Sequence, residues 1–301
     1  VYARDYMEII LLGNAITHLY FGMNAVLRSA SKPRHAMYAT MFSVVLNTIL
    51  DPLFIWTFGL GIRGAAYATV LSQFLALIWQ FWIFSNPKEL IHLKRGIYSL
   101  RGDLMKNIIG IGISPFSMNV CACMVVIFIN NQLVRFGGDM SVGAFGIANR
   151  IVFIFVMFVM GINQGMQPIA GYNYGAQKLD RMMQVVKLSI IAATVIMILG
   201  WFLAMLAPRQ CVSLFTTDQH LIDTTVHGMR RMMLMLPIVG YQMVITNFFQ
   251  CIGKVKISIF LSLSRQLLFL LPALALLPIW FGLDGVWLAQ PVSDFIASVV
   301  T

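Results

Sequence analysis

Long apolar runs interrupted by short polar breaks recur from one end of the chain to the other. A helix of about 20 apolar residues crosses the hydrocarbon of a bilayer. The pattern predicts nine such spans, at 7–28, 36–58, 64–85, 107–134, 144–170, 186–207, 231–252, 257–280 and 284–301. The longest polar stretch, 86–106, contains Pro87, Gly96 and Gly102 and mixes charges of both signs. It divides the chain into residues 1–86, the last three helices of one membrane lobe, and residues 106–301, a six-helix lobe whose last helix is cut short. Residues 87–105 between them read as a cytoplasmic linker carrying a short surface helix. A second polar insert, 209–231, holds Asp218, His220, Asp223 and His227. Their spacing matches no metal site, so the insert reads as a solvated amphipathic loop.

The two parts share an internal repeat. The stretch from Ser31, "SKPRHAMYATMFSVVLNTILDPLFIWTFGLGIRGAAYATVLSQF", aligns with the stretch from Gly253, "GKVKISIFLSLSRQLLFLLPALALLPIWFGLDGVWLAQPVSDF". Lys32 pairs with Lys254, Phe58-Gly59-Leu60 with Phe281-Gly282-Leu283, and Gly64, Ala68, Ser72 and Phe74 with Gly285, Ala289, Ser293 and Phe295. Both copies follow a basic loop and face the same way, which predicts two lobes related by a pseudo-twofold axis along the membrane normal. The steady offset places the start of the first lobe about 116 residues before Val1, so a twelve-helix protein is expected, with nine of its helices here.

Composition agrees with spans. Hydrophobic residues make up 59% of the chain and charged residues 11%, against about 25% charged in a soluble domain. The net charge of +10 would suggest nucleic acid in a soluble protein, but no nucleic-acid motif accompanies it. In a membrane protein the charge reports topology, because Lys and Arg collect in cytoplasmic loops. Placing "RSASKPRH", the 86–106 stretch, "GAQKLDR" through Lys187, and "GKVK" on the cytoplasmic side gathers most of the Lys and Arg there. Arg4, Arg63, Arg135, Arg150, Arg209, Arg230 and Arg231 fall opposite, and only Arg265 is plainly intramembrane. Cys121, Cys123, Cys211 and Cys251 form no CxxC pair and read as small core residues. The twenty methionines suit an adaptable binding surface, although most are expected to fill core or face lipid.

Polar groups inside the spans are the candidate chemistry. Asp51 sits about 15 residues into its helix, where an ionised carboxylate costs about 2.5–3.5 kcal/mol on insertion scales. Asn47 is one turn earlier on the same face. Pro52 cannot donate to the Thr48 carbonyl and is expected to kink the helix, exposing backbone oxygen beside the carboxylate. Hard oxygen ligands of this kind suit a proton or a small cation such as Na⁺. Asp294, in "AQPVSDF", is a second deep acid; it matches Gln73 in the repeat, with Arg265 a neighbour it could bond. Asn119, Asn130, Asn131, Asn163, Gln164, Gln167, Gln242 and Asn247 are further in-span polar groups, most of them expected to serve helix packing. The sequence has no GxxxxGK[ST], HExxH or GxSxG motif, which argues against an ATP-coupled pump or an enzyme of those types.

Four segments carry a family resemblance: "NAVLRSASKPR" (24–34), "LNTILDPLFIWTFGLGIRGAAYATVLSQ" (46–73), "GINQGMQPIAGYNYGAQKLDR" (161–181) and "GVWLAQPVSDF" (285–295). They resemble the multidrug and toxic compound extrusion (MATE) family over essentially the whole chain, from the family's fourth helix into its twelfth. The resemblance implies an all-α integral membrane fold of two six-helix lobes in a V around a central cavity, about nine of the twelve helices being present here. It also implies a monomer in the bacterial inner membrane, and an antiporter that admits Na⁺ or H⁺ while expelling organic, often cationic, compounds. No cofactor beyond the coupling ion and no nucleic-acid partner is implied. In relatives with a first-lobe cation site, an Asn and an Asp four residues apart on helix five act with a Thr on helix six; Asn47, Asp51 and Thr69 occupy those positions. A further Asp on helix one has no counterpart in this sequence. The acids that some relatives carry on helices seven and ten are also missing, since 107–134 and 231–252 contain none.

Two other readings compete. A flippase for lipid-linked sugar precursors would share the two-lobed plan but would want several basic residues in its cavity, where only Arg265 is intramembrane. A membrane scaffold or receptor would leave the deep Asn–Asp–Thr set without purpose, and no filter segment suggests a channel.

Overall fold

The computed structural model describes residues 2–87, 91–92 and 101–301. Most of the expected linker, with its surface helix, therefore lies outside the described residues. The chain forms two compact units, Val1–Leu100 and Arg101–Thr301, and no strand occurs among the described residues.

The first unit contains α1 (Tyr2–Ser29), α2 (Pro33–Pro52), a π-helical segment (Leu53–Thr57) and α3 (Gly61–Phe84). Pro33 opens α2, where a missing N–H costs nothing. Pro52 ends it, and the backbone widens at once: the Phe58 N–H reaches back five residues to the Leu53 carbonyl at 3.1 Å. The predicted kink is thus a change of helix type. α1 and α3 run parallel, as Asp5 meets Arg63 at 2.9 Å and Thr17 meets Gln73 at 2.5 Å. α2 runs antiparallel to both. Leu27, Ala36, Ile83 and Phe84 close one end of the bundle, with Tyr20, Ala76 and Leu77 above them.

The second unit begins with α4 (Gly102–Gly175), whose two limbs meet at Gly138, φ 68°. That residue separates the two predicted spans 107–134 and 144–170. α5 (Leu179–Leu206) follows as expected. The 209–231 insert is not a loop. It folds into α6 (Pro208–Ser213) and the amphipathic α7 (Gln219–Met232), with Asp218 capping α7 by accepting from the His220 N–H at 2.9 Å. Ile222, Thr225, Met229 and Met232 make its buried face, and Gly228 leaves room for the Trp287 ring. The span predicted at 231–252 consequently starts later, as α8 (Leu236–Cys251), bent 56° from α7. The last spans are α9 (Val255–Leu263), a second π-helical segment (Ser264–Leu270), α10 (Leu271–Phe281) and α11 (Leu283–Val300). Met166, Met182, Met197, Met229 and Met233 pack with Trp287 in the larger core, whereas Met105, Met124, Met157 and Met183 stand on the outside. Of the cysteines expected in the core only Cys121 is buried, and Cys123 is exposed.

The repeat acquires a physical meaning at its glycines. Gly59 and its partner Gly282 both have positive φ, 66° and 58°, at the turn between paired helices. Gly64 and its partner Gly285 each press against the backbone of the preceding helix. A Cβ on Gly64 would stand 2.7 Å from the Phe54 carbonyl oxygen, and one on Gly285 would strike the Leu277 carbonyl. Leu12, Trp56, Trp82, Ile108, Leu206 and many other large apolar side chains are exposed. On a protein in water such a surface would be an aggregation liability; in a bilayer it faces lipid.

Candidate coupling site

Two polar clusters lie inside the apolar helices, one in each unit. In the first, Asn47 and Asp51 share a face of α2, and the Asn47 amide Nδ2 donates to Asp51 Oδ1 at 3.1 Å. The same nitrogen reaches Thr69 Oγ1 on α3 at 3.4 Å, and that hydroxyl donates to the Ala65 carbonyl at 3.0 Å. Ser72 Oγ ties the next turn by donating to the Thr69 carbonyl at 2.9 Å. All three residues are half-buried. Among the described residues no Lys, Arg or His forms an ion pair with Asp51. Asp51 Oδ2 and the Thr69 hydroxyl keep acceptor capacity for an arriving proton or cation. Pro52 follows the carboxylate directly, so the change to π geometry begins one residue beyond it.

Asp294 on α11 is held differently. Its side chain is 5% exposed and lies 3.3 Å from Arg265 Nη1. Gln290 Nε2 adds contacts to its two oxygens at 3.5 and 3.4 Å. Gln242 on α8 donates to the Asp294 backbone carbonyl at 2.9 Å, and Ser293 Oγ donates to the Arg265 carbonyl at 2.8 Å. Asp294 therefore has a fixed counter-charge, a backbone anchor and little room for another cation. Among the other in-span amides, Gln167 Nε2 bonds Asn247 Oδ1 at 3.0 Å and joins α4 to α8. Asn119 turns back to its own helix at Pro115.

The polar insert forms ion pairs at one end of the second unit. Arg231 meets Asp284 at 2.7 Å, His227 meets Asp284 at 3.1 Å, and Arg209 meets Asp223 at 2.6 Å. Among the described residues no three His, Cys, Asp or Glu side chains converge on a metal-sized site.

Sequence reading missed several interior groups of the first unit. Thr17 Oγ1 donates to Gln73 Oε1. Asn24 Nδ2 donates to the Ala36 carbonyl at 2.9 Å and to Thr40 Oγ1 at 3.2 Å, while Arg28 Nη1 donates to Asn24 Oδ1 at 2.8 Å. Gln80 is 0% exposed, and neither its Nε2 nor its Oε1 has a hydrogen-bond partner. Leaving a buried polar group unpaired costs about 1–3 kcal/mol. The signal was present as spacing: Thr69, Gln73 and Gln80 recur on one face of their helix at helical intervals.

The chain is thus a multi-pass helical membrane protein with, among the described residues, a carboxylate without an ion-pair partner in one unit and a paired one in the other. Its fold is similar to that of solved membrane transporters. The MatE family model matches residues 1–53 and 113–274, and the chain belongs to that family. The multidrug export protein MepA of Staphylococcus haemolyticus is 27% identical over 303 residues, covering 99% of this chain and 66% of that protein. MepA of Staphylococcus aureus strain MSSA476 is 26% identical over 94% of this chain and 62% of its own length. The chain spans just under two thirds of these relatives. An outward-facing structure of a multidrug resistance MATE family transporter of the MOP superfamily aligns with a TM-score of 0.92 at 25% identity, over 98% of this chain and 67% of the other. A MOP superfamily transporter from Pyrococcus furiosus, described by a reversed polarity of its binding pocket that suggests a different function, aligns at 0.91 and 25% identity over the same shares.

Proposed function

We propose that the protein is a secondary active antiporter that exports organic, often cationic, compounds in exchange for H⁺ or Na⁺, and that Asn47, Asp51 and Thr69 take up the coupling ion. The observation that carries this reading is an intramembrane carboxylate, held by an amide and a hydroxyl from two helices, with no cationic partner among the described residues. Such a group exchanges a proton or cation with the aqueous phases, whereas the paired Asp294 is already neutralised. The names of the relatives support multidrug export. The intramembrane arginine that a flippase would offer to a pyrophosphate is engaged by Asp294, so that alternative gains nothing.

Coupling follows from differential affinity: an ion shifts a conformational equilibrium only by binding one state more tightly than the other. Loading Asp51 removes a charge beside Pro52 and the π segment, where the helix is least constrained. That change biases the bend of the helix and with it the affinity for the exported compound. In the full-length protein, Asp51→Asn is expected to abolish gradient-driven dye efflux from everted vesicles while leaving expression and thermal stability near wild type. Wild-type efflux in that variant would remove Asp51 from the mechanism.

A further inference from the structure

We infer that the interior of the first unit holds a file of water that carries protons between Asp51 and the end of the bundle marked by Arg28, with Gln80 as a binding site near that end. The inference rests on the coupling role proposed for Asp51. The helix register sets out the geometry. α1 and α3 are parallel and keep step, since Asp5 meets Arg63 and Thr17 meets Gln73. Seven residues further along each helix, Gln80 comes level with Asn24. The antiparallel contact of Asn47 with Thr69 places Ala36 at that same level. Ala36 is the residue whose carbonyl Asn24 bonds.

Polar groups therefore lie in steps along one interior. Asp51, Asn47 and Thr69 form the first, and Ser43, Thr17 and Gln73 the second. Asn24 and Gln80 form the third, with the exposed Thr40 at its edge and Arg28 beyond. From Asp51 to the level of Ala36 is 15 residues, about 22 Å of helix rise. A proton released toward that end travels this distance along the bundle. The side chains alone do not span it: on α3 the step from Gln73 to Gln80 is about 10 Å. Small residues, Ala36, Ala39 and Ala76, line the same level and are buried. Gln80 offers a donor and an acceptor there, both shielded from solvent and unpartnered. A buried polar group in such a setting takes water, which typically makes about three hydrogen bonds. Water bound at Gln80 sits at the Asn24 level and reaches back toward the Thr17–Gln73 pair, across the longest gap. Hydroxyls and amides orient the waters; the waters pass the proton, each accepting one hydrogen and giving up another, so none is consumed. Arg28 holds Asn24 Oδ1, and its charge keeps a proton from resting at the mouth. The file thus discharges to solvent and opposes uncoupled leak.

The test uses full-length protein in liposomes, with proton-driven dye exchange, dye binding and thermal unfolding measured for Gln80→Met and Gln80→Ser, beside Asp51→Asn. Methionine keeps the volume and loses the hydrogen bonds; serine loses volume and still holds water. The file predicts that Gln80→Met slows exchange by about tenfold while Gln80→Ser stays within about threefold of wild type. Dye affinity should be unchanged in both, and the residual exchange of Gln80→Met should show a larger H₂O/D₂O rate ratio than wild type, because proton transfer then limits the rate. A packing role predicts the reverse order, with serine the worse variant in both rate and unfolding temperature, and that order overturns the file. An inactive Asp51→Asn together with a wild-type rate in Gln80→Met overturns the file alone. A wild-type rate in Asp51→Asn overturns the coupling site and the file with it; strict Na⁺ dependence without proton flux overturns the file alone.

Discussion

Arg265 stands 3.3 Å from a carboxylate that is almost completely enclosed, while its own side chain is 29% exposed. Removing one member of a buried pair leaves the other charged and unsolvated, at a cost of about 3–5 kcal/mol. The partial exposure of the guanidinium places the expected loss for Arg265→Met near the lower end, about 3 kcal/mol. The double variant Arg265→Met/Asp294→Leu should recover most of it, because an apolar pair of similar volume needs no compensation. Thermal unfolding in detergent measures both, and an unshifted single variant would show that the pair carries no stability. Residue-level chemistry was partly legible beforehand. Asn47 and Asp51 stood one turn apart in an apolar run, and Asp294 and Arg265 were both conspicuous. Gln80 was legible only as the spacing it shares with Thr69 and Gln73, since an amide in an apolar helix announces neither its burial nor its missing partners. The pairing of Thr69 with Asn47 likewise required a neighbouring helix that spacing alone does not supply.

Elements were easiest to read where length and hydropathy suffice, and hardest where geometry departs from the α-helix. Nothing in "LFIWT" or "SRQLLFL" signals a π segment, because the extra residue per turn is set by the surrounding packing. α7 was misread because its polar face outweighed the Ile222–Thr225–Met229 face that docks it. The repeat glycines were legible as matched letters and gain their reason from contact with carbonyl groups. Gly64→Ala and Gly285→Ala should each destabilise by about 1–3 kcal/mol, the usual cost of overpacking, since backbone cannot swing aside. Gly110, with open space around its Cβ position, provides the control: Gly110→Ala should leave the unfolding temperature unchanged or raise it. Equal effects at all three positions would show that helix propensity, not crowding, governs them.

At the scale of the whole molecule, the distribution of basic residues sets orientation. Cysteines introduced by Gln177→Cys and Lys254→Cys, in a background without reactive native thiols, should react with an impermeant maleimide from the cytoplasmic side. Asp218→Cys should react from the opposite side. Labelling of all three from one side would overturn the topology and the direction assigned to the water file.

The Arg265–Asp294 pair also has an electrical meaning. A membrane voltage exerts force on net charge, worth about 2.3 kcal/mol for one elementary charge moved through 100 mV. A carboxylate bound to a guanidinium travels as a dipole and feels almost none of it. In the coupling role proposed for it, Asp51 is alternately bare and loaded, and feels it in one state and not the other. Of these two in-span acids, only Asp51, in the proposed coupling role, lets the field favour one loading state, so the voltage dependence of turnover should survive neutralisation of the Arg265–Asp294 pair.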